Sequence, residues 1–201
     1  MFLWCVMAEE TREAAAAGEQ KQRMCALERR IERMAQGDTE SLSALYEETS
    51  AAVYGFVLSI LKQRSDAEDV MQETYLNIYR AAGRYRSNGN PMPWILTIAK
   101  NLALMKLRER NRQGCADQEI MEAELAKLTA GMEVSQEDRL MLQMVLQVLS
   151  EEELQIVMLH AVAGCKHREI AQLLELPLPT VLSKYHRALK KLRKQWEEGN
   201  E

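Results

Sequence analysis

Apolar residues recur at spacings of three and four along most of this chain, which is the period of an α-helix. The clearest stripe follows Asp38 and consists of Leu42, Leu45, Tyr46, Val53, Phe56, Val57 and Ile60. Only 9 of the 201 residues are glycine and 4 are proline, so few positions would interrupt a helix. No segment alternates polar and apolar residues with comparable strength. The sequence therefore predicts an all-α fold.

Capping signals divide this pattern into separate helices. Asp38 precedes the first stripe, where its carboxylate can accept hydrogen bonds from free backbone amides. Residues 65–68 (Ser-Asp-Ala-Glu) and 150–153 (Ser-Glu-Glu-Glu) have the spacing of a capping box, in which serine and glutamate side chains satisfy two such amides. Gly83 and Gly164 are predicted to end the helices that follow these boxes.

Charged residues are strongly segregated, although the formal net charge is only −4. Residues 100–112 carry five bases and one acid, and residues 179–196 carry six bases and no acid. Between them, residues 115–138 carry seven acids and one lysine. This pattern predicts two small helical domains joined by an acidic linker. The predicted order is a partly helical tail at 1–36, a first domain at 37–112, the linker at 113–135 and a second domain at 136–198.

Several classes of protein are not expected. No apolar run approaches the roughly 20 residues that span a bilayer, and the apolar residues 1–7 lack the basic flank of a secretory signal. The four cysteines are far apart, which favours reduced thiols in a cytoplasmic protein. His160, Cys165 and His167 lack a fourth ligand, so no metal site is expected. No catalytic motif or phosphate-binding loop is present, so neither enzymatic activity nor a cofactor is expected.

Residues 166–189 have the pattern of a helix-turn-helix. A short helix is predicted at 167–175, followed by a break and a longer helix with Pro179 as its first residue, where the missing N–H is not needed. The inward face of the longer helix is predicted to be Val181, Tyr185, Ala188, Leu192 and Trp196. Its opposite face is predicted to be Thr180, Ser183, Lys184, Arg187 and Lys191. These hydroxyls and bases suit base edges and phosphates in a major groove, and they also fit a solvated basic surface.

Three segments resemble one known family in the same order and at the same separation. Residues 66–80 (DAEDVMQETYLNIYR) resemble region 2.2 of bacterial sigma-70 family factors, and residues 94–103 (WILTIAKNLA) resemble the region 2.3/2.4 helix. Residues 149–192 are similar to region 4. Regions 2 and 4 with a short connector are typical of the extracytoplasmic-function (ECF) subgroup. The resemblance implies a sigma factor that directs core RNA polymerase to specific promoters and assists DNA melting.

The resemblance also implies three contact surfaces. The β′ coiled coil of polymerase is expected to contact Asp66, Asp69, Gln72 and Glu73. The promoter −10 element is expected to contact Arg86, Asn88, Trp94, Lys100, Asn101 and Arg108. The −35 element is expected to contact Lys166, Thr180, Ser183, Lys184, Arg187 and Lys191. The β flap of polymerase and an anti-sigma protein are further expected partners.

Individual roles within the −10 surface follow from the same resemblance. The Asn101 amide would hydrogen-bond a base edge, and the bases of residues 100–112 would hold phosphates. The loop at 86–93 would pocket an extruded base of the non-template strand. Trp94 fits either a core position or a base contact. The acidic linker fits either a thread through the polymerase cleft or a flexible tether.

Two segments depart from the family pattern. Residues 165–167 (Cys-Lys-His) replace an apolar, a hydroxyl or aromatic, and an acidic residue, and residues 88–91 (Asn-Gly-Asn-Pro) replace acidic or hydroxyl residues. Both departures leave the promoter sequence open. The alternative function is a helix-turn-helix regulator that acts without joining polymerase, and the region 2-like half argues against it.

Overall fold

The computed structural model describes residues 13–113 and 148–198. Within these ranges there are seven α-helices, one short 3₁₀-helix at Ala82–Arg84 and no strand, so the predicted all-α fold is confirmed. The α-helices are α1 (Glu13–Ala35), α2 (Glu40–Leu61), α3 (Arg64–Ala81), α4 (Met92–Gln113), α5 (Glu151–Ala161), α6 (His167–Leu174) and α7 (Leu178–Glu198). No helix in the described part is both long and apolar enough to cross a membrane. Apart from residue 113, the predicted linker lies outside the described residues.

Helices α1 to α4 pack together around an apolar core. Leu27 and Ile31 of α1, Ile78 of α3 and Leu96 of α4 are all completely buried. Helix α1 belongs to the predicted tail, yet it packs against α2 and the 3₁₀-helix. The packed unit therefore begins before residue 37, and the tail supplies part of its core.

Asp38 caps α2, as the sequence predicts. Its Oδ1 accepts hydrogen bonds from the backbone N–H groups of Glu40 at 2.9 Å and Ser41 at 3.3 Å. Its Oδ2 accepts a hydrogen bond from the Ser41 hydroxyl at 2.7 Å. The Ser41 hydroxyl, aided by these amides, holds the pKa of Asp38 below its usual value.

The capping box predicted at residues 65–68 is wrong, because α3 begins at Arg64, two residues before the Asp66 start that a Ser65 cap requires. The preceding Gln63 is extended, so the chain has already entered the helix before Ser65. Glu68 pairs with Arg64 at 2.7 Å. An ion pair one turn along the helix thus replaces the predicted serine–glutamate cap.

Helices α5 to α7 form the second packed unit, in which α6 and α7 are the helix-turn-helix. The buried face of α7 includes the predicted residues Val181, Tyr185, Ala188 and Leu192, whereas the side chain of Trp196 lies outside the described part. Helix α7 begins at Leu178, one residue earlier than predicted. The reason is that the Pro177 carbonyl already accepts a hydrogen bond from the Thr180 N–H at 2.9 Å.

The two packed units contact each other at two places. Helix α2 packs against α5, where Gln155 donates a hydrogen bond to the Ser59 hydroxyl at 2.9 Å. Lys62 pairs with Glu151 at the same contact. Helix α4 packs against α6, and the buried apolar residues of both units form one continuous cluster.

The capping box predicted at residues 150–153 is confirmed at the start of α5. The Ser150 N–H donates to Glu153 Oε2 at 2.9 Å, and the Glu153 N–H donates to the Ser150 hydroxyl at 3.4 Å. The same Oε2 accepts a hydrogen bond from the Lys191 ammonium at 2.7 Å, which ties α5 to α7. Burial alone would raise the pKa of Glu153, but the bonds from Lys191 and Ser150 hold it below its usual value.

Replacing Glu153 with glutamine is expected to destabilise the second unit by about 1–2 kcal/mol, because glutamine fits the capping box but loses the charge-assisted bond from Lys191. Since the pKa of Glu153 is lowered on folding, its stabilisation is present above the unfolded value near 4.5 and is lost as pH falls through the folded value. Urea unfolding near neutral pH and well below pH 4.5 measures the difference. The difference in free energy of unfolding between wild type and Glu153→Gln should be smaller at the lower pH.

The matched control for this prediction is Glu152→Gln. Glu152 is the exposed neighbour in the same helical turn, and its surface ion pair with Lys184 contributes less than about 1 kcal/mol. If the loss of unfolding free energy in Glu153→Gln relative to wild type did not change with pH, the assigned role of this carboxylate would be contradicted.

Candidate nucleic-acid and protein interfaces

The outward face of α7 presents polar and basic side chains to solvent. Ser183 and Arg187 are exposed, and Lys166, directly before α6, is exposed as well. Arg187 precedes the completely buried Ala188, which faces the interior. An exposed guanidinium on the outer face of a helix can reach a base edge with two parallel hydrogen bonds.

Two other residues of the predicted −35 surface contact acids of α5. Lys184 pairs with Glu152 at 2.5 Å, and Lys191 pairs with Glu153 at 2.7 Å. Thr180 is half-buried. A phosphate that binds Lys184 or Lys191 must therefore compete with a carboxylate of α5. Ser183 and Arg187 are exposed to solvent and can contact DNA directly.

Two histidines and a tyrosine pack together behind α7. The rings of His160 and His167 stack with centroids 4.4 Å apart, and Tyr185 meets them edge-on at 4.9 and 4.7 Å. His160 Nδ1 lies 2.9 Å from the Cys165 carbonyl oxygen, and burial raises the pKa of the Cys165 thiol to about 12. Within the described ranges, no group of three or more His, Cys, Asp or Glu side chains is placed to hold a metal ion. The cluster packs α5, α6 and α7 together.

The loop at 86–93 (the −10 loop) leads from the 3₁₀-helix into α4 and carries the first predicted −10 residues. Arg86 and Asn88 are exposed. Trp94, in the first turn of α4, is half-buried and packs on the core. Its ring lies 4.9 Å from that of Tyr85. Tyr85 and Trp94 thus bracket the loop at its two ends.

Asn90 connects the −10 loop to the second unit. Its side-chain oxygen accepts a hydrogen bond from the Met92 N–H at 3.1 Å, at the start of α4. Its side-chain amide donates to Glu169 of α6 at 2.9 Å and to the Gly164 carbonyl at 3.3 Å. Asn90 is buried, in contrast to the exposed residues 86–89 that precede it.

Helix α4 exposes Asn101 and Arg108 and covers Lys100. Asn101 and Arg108 both face solvent. The Lys100 side chain is 17% exposed, and its ammonium donates to the Leu173 carbonyl at 2.8 Å and to Glu175 at 2.6 Å. A phosphate that binds Lys100 has to displace both of these acceptors, which lie at the end of α6.

Two more bases of α4 are engaged within the first unit. Arg110 donates to the Leu61 carbonyl at 3.0 Å and pairs with Asp66 at 3.4 Å. Lys106 lies 3.5 Å from Asp66 and 3.4 Å from Asp69. Partial burial alone would lower the pKa of Lys106, but the two carboxylates raise it above its usual value. The hydrogen bond from Arg110 to the Leu61 carbonyl connects α4 to the end of α2.

An exposed stripe of α3 combines acidic, polar and apolar side chains. Asp69, Gln72 and Glu73 are exposed at positions that share one face of the helix. Leu76 lies on the same face and is 52% exposed. Asp66 is only 15% exposed and contacts Arg110, so it is less accessible than the other predicted polymerase contacts. The stripe open to a partner (the α3 stripe) is Asp69, Gln72, Glu73 and Leu76.

Three glutamates that no sequence pattern identified contact the predicted −10 surface. Glu28 of α1 accepts hydrogen bonds from the start of the −10 loop. Glu169 contacts Asn90, and Glu175 contacts Lys100. Each lies more than fifty residues from its partner in sequence, and opposite charge alone is too common a signal to pair them.

Sequence models of known families match both packed units. The model of Sigma-70 region 2 matches residues 45–113, and the model of Sigma-70, region 4, matches residues 139–192. The two matches follow the chain order of the packed units and together cover more than half of the chain.

Curated relatives and solved structures are similar over longer spans. The ECF RNA polymerase sigma factor SigK of Mycobacterium ulcerans is 26% identical over 171 residues, which cover 81% of this chain and 89% of that protein. The structure of CnrH in complex with the cytosolic domain of CnrY covers 86% of this chain and 98% of that one, with a TM-score of 0.55 and 19% identity. The sigma factor RpoE in complex with the anti-sigma factor NepR from Bartonella quintana covers 77% and 97%, with a TM-score of 0.53 and 18% identity.

The family matches agree with the two helical units and their order. The chain belongs to the sigma-70 family of RNA polymerase sigma factors. Its regions 2 and 4 are present, and its match to the ECF factor of Mycobacterium ulcerans covers 89% of that protein. It is an ECF-type sigma factor.

Proposed function

We propose that this chain directs core RNA polymerase to a set of promoters through α6 and α7 at the −35 element and through α4 and the −10 loop at the −10 element. One observation carries the proposal: two helices of one chain each expose a polar side chain together with a base, Asn101 with Arg108 on α4 and Ser183 with Arg187 on α7. Two such surfaces suit two separated stretches of one duplex.

At the −35 element, Arg187 is proposed to read a base edge from the major groove, with Ser183 and Thr180 as neighbouring hydroxyl contacts. Lys166, Lys184 and Lys191 are proposed to bind phosphates, which fix the position of the helix without reading sequence. Binding should therefore weaken with added salt, because each neutralised phosphate releases a counterion.

At the −10 element, Asn101 is proposed to hydrogen-bond a base of the melted strand. Arg86 and Asn88 lie in the −10 loop and Trp94 directly follows it, and these residues are proposed to receive an extruded base, since single-stranded bases are recognised by stacking and edge contacts. Lys100 and Arg108 are proposed to bind phosphates. Lys100 reaches DNA only after it leaves Glu175 and the Leu173 carbonyl.

On the polymerase side, the α3 stripe is proposed to dock on a basic partner helix, the β′ coiled coil, with Asp66 at its edge. The second unit is proposed to contact the β flap. Because CnrH and RpoE were solved with CnrY and with the anti-sigma factor NepR, we also propose an anti-sigma partner for this chain. Its place of action is proposed to be the cytoplasm, where it contributes binding to polymerase and DNA but no catalytic step.

The alternative is a helix-turn-helix regulator that binds DNA without polymerase, and the presence of region 2 argues against it. A pull-down with purified core polymerase in the absence of DNA separates the two functions. Retention of the chain by core polymerase supports the sigma factor. Palindromic DNA binding together with no retention by polymerase would overturn it.

A further inference from the structure

One carboxylate oxygen of Glu28, in α1, accepts hydrogen bonds from the first half of the −10 loop and from the residue that precedes the loop. Glu28 Oε1 accepts hydrogen bonds from the Tyr85 hydroxyl at 2.9 Å and the Ser87 hydroxyl at 2.8 Å. It also accepts hydrogen bonds from the backbone N–H groups of Asn88 at 3.2 Å and Gly89 at 2.9 Å. Since two of these donors are successive amides, the contact fixes the loop backbone as well as its side chains.

Packing contributes little to the order of this half of the loop. Residues 86–89 are all exposed, and a hollow of about 270 Å³ lies between α1, the 3₁₀-helix and the loop, with Ile31, Gly83 and Ser87 among its walls. Gly89 has a φ of 86°, in the left-handed region that glycine enters at little cost. Hydrogen bonds therefore hold this segment, and Glu28 accepts three of them, in addition to the one from the preceding Tyr85.

The second half of the loop depends on a different helix. Asn90 donates its side-chain amide to Glu169 and to the Gly164 carbonyl, both in the second unit. If α6 moved away from α4, Lys100 would be freed for DNA and these bonds would be broken as well. Glu28 stays with the loop, because the buried Leu27 and Ile31 anchor α1 in the first unit.

We infer that Glu28 is a positioning residue that fixes the conformation of the −10 loop and thereby selects the base that the loop accepts. The inference rests on the proposed function and names a residue outside the region 2 match, which begins at residue 45. Glu28 acts through Tyr85, whose ring packs on Trp94 at 4.9 Å, and through the amides of Asn88 and Gly89. It does not contact DNA itself.

The hydrogen bonds from the loop stabilise the ionised form of Glu28. Partial burial alone would raise the pKa of Glu28, but the bonds from Ser87, Tyr85 and the two loop amides hold it below its usual value. The carboxylate is therefore charged near neutral pH, and glutamine, which keeps one acceptor oxygen without the charge, is a conservative replacement.

Amide hydrogen exchange of the chain alone tests the contact without any promoter. In Glu28→Ala, the amides of Asn88 and Gly89 should exchange at least about tenfold faster, as expected for the loss of charge-assisted hydrogen bonds of about 1.5–3 kcal/mol. Glu28→Gln should give an intermediate rate. Glu32→Ala, an exposed position one turn further along α1, is the control and should leave both rates unchanged. Unchanged rates in Glu28→Ala would overturn the inference.

Transcription by the reconstituted holoenzyme from a promoter library tests the specificity. With the −35 element fixed and the −10 element randomised, Glu28→Ala should lower the preference for the best base over the worst at one −10 position by about fivefold or more, a substantial part of the cost of a mismatch. Preferences at −35 should not change, and Glu28→Gln should retain part of the −10 preference.

The outcomes separate this inference from the proposed function. If wild-type chain starts no transcription, the proposed function fails, while the exchange rates still report on the loop contact. If wild type initiates and Glu28→Ala keeps the same −10 preferences, Glu28 does not select the base and the inference is wrong. A uniform loss at every −10 sequence would likewise contradict it.

Discussion

Replacing Glu73 with lysine is expected to weaken binding of the chain to core polymerase by at least about 30-fold. Glu73 lies in the α3 stripe beside Asp69, Gln72 and the exposed Leu76. Breaking a buried interfacial charge pair costs about 2–5 kcal/mol, and a lysine adds repulsion from a basic partner. Titration of labelled chain with core polymerase measures the loss. The mechanism predicts a larger effect at low salt than at high salt.

The control for this prediction is Glu68→Lys on the same helix. Glu68 is exposed but lies to one side of the α3 stripe, where it pairs with Arg64 at 2.7 Å. Its replacement should change polymerase affinity by less than about threefold, because exposed ion pairs contribute little. Equal losses for the two variants would show that general acidity, and not the α3 stripe, governs docking. Thermal unfolding of both variants confirms that the fold is retained.

Replacing Arg187 with alanine is expected to remove selectivity at one base pair of the −35 element. A bidentate arginine–guanine pair contributes about 1–3 kcal/mol of discrimination, or about 5- to 150-fold between the right and the wrong base. Competitive transcription from promoters that differ at single −35 positions measures it. Selectivity at the other −35 positions should persist, because their contacts are made by different side chains.

Two control variants distinguish base reading from simple charge. Arg187→Lys keeps the charge but loses the planar fork, so it should lose most of the same selectivity. Arg193→Ala removes an exposed base further along α7 and should weaken all promoters by a similar factor. If Arg187→Ala also weakened all promoters uniformly, Arg187 would be a phosphate contact.

The helices were largely predictable from sequence because their signals are local. Apolar spacing and the box at Ser150 depend on residues within one or two turns of each other, and the structure has both. The failed box at Ser65 shows the limit of such signals. The extended Gln63 precedes the helix in place of Ser65, so α3 starts two residues earlier than the predicted box requires. No propensity of Ser65 or Glu68 indicates this earlier start.

The arrangement of the candidate surfaces was less predictable, because it depends on contacts between distant segments. The sequence marks Lys100 as basic, but its contact with Glu175 follows from how α4 meets α6. Glu28 lies in a segment that carries no motif of its own. Its relation to Ser87 and the loop amides appears only when α1 packs beside the 3₁₀-helix. No spacing rule within a single sequence predicts contacts between residues that lie so far apart along the chain.

The most direct measurement is in vitro transcription from genomic fragments with core polymerase alone and with core polymerase plus this chain, followed by mapping of the RNA 5′ ends. Initiation by a sigma factor predicts new start sites that share one sequence near −10 and another near −35, and Asn101→Ala and Arg187→Ala should each alter the dependence on only one of them. An unchanged set of start sites when the chain is added to active core polymerase would contradict that function.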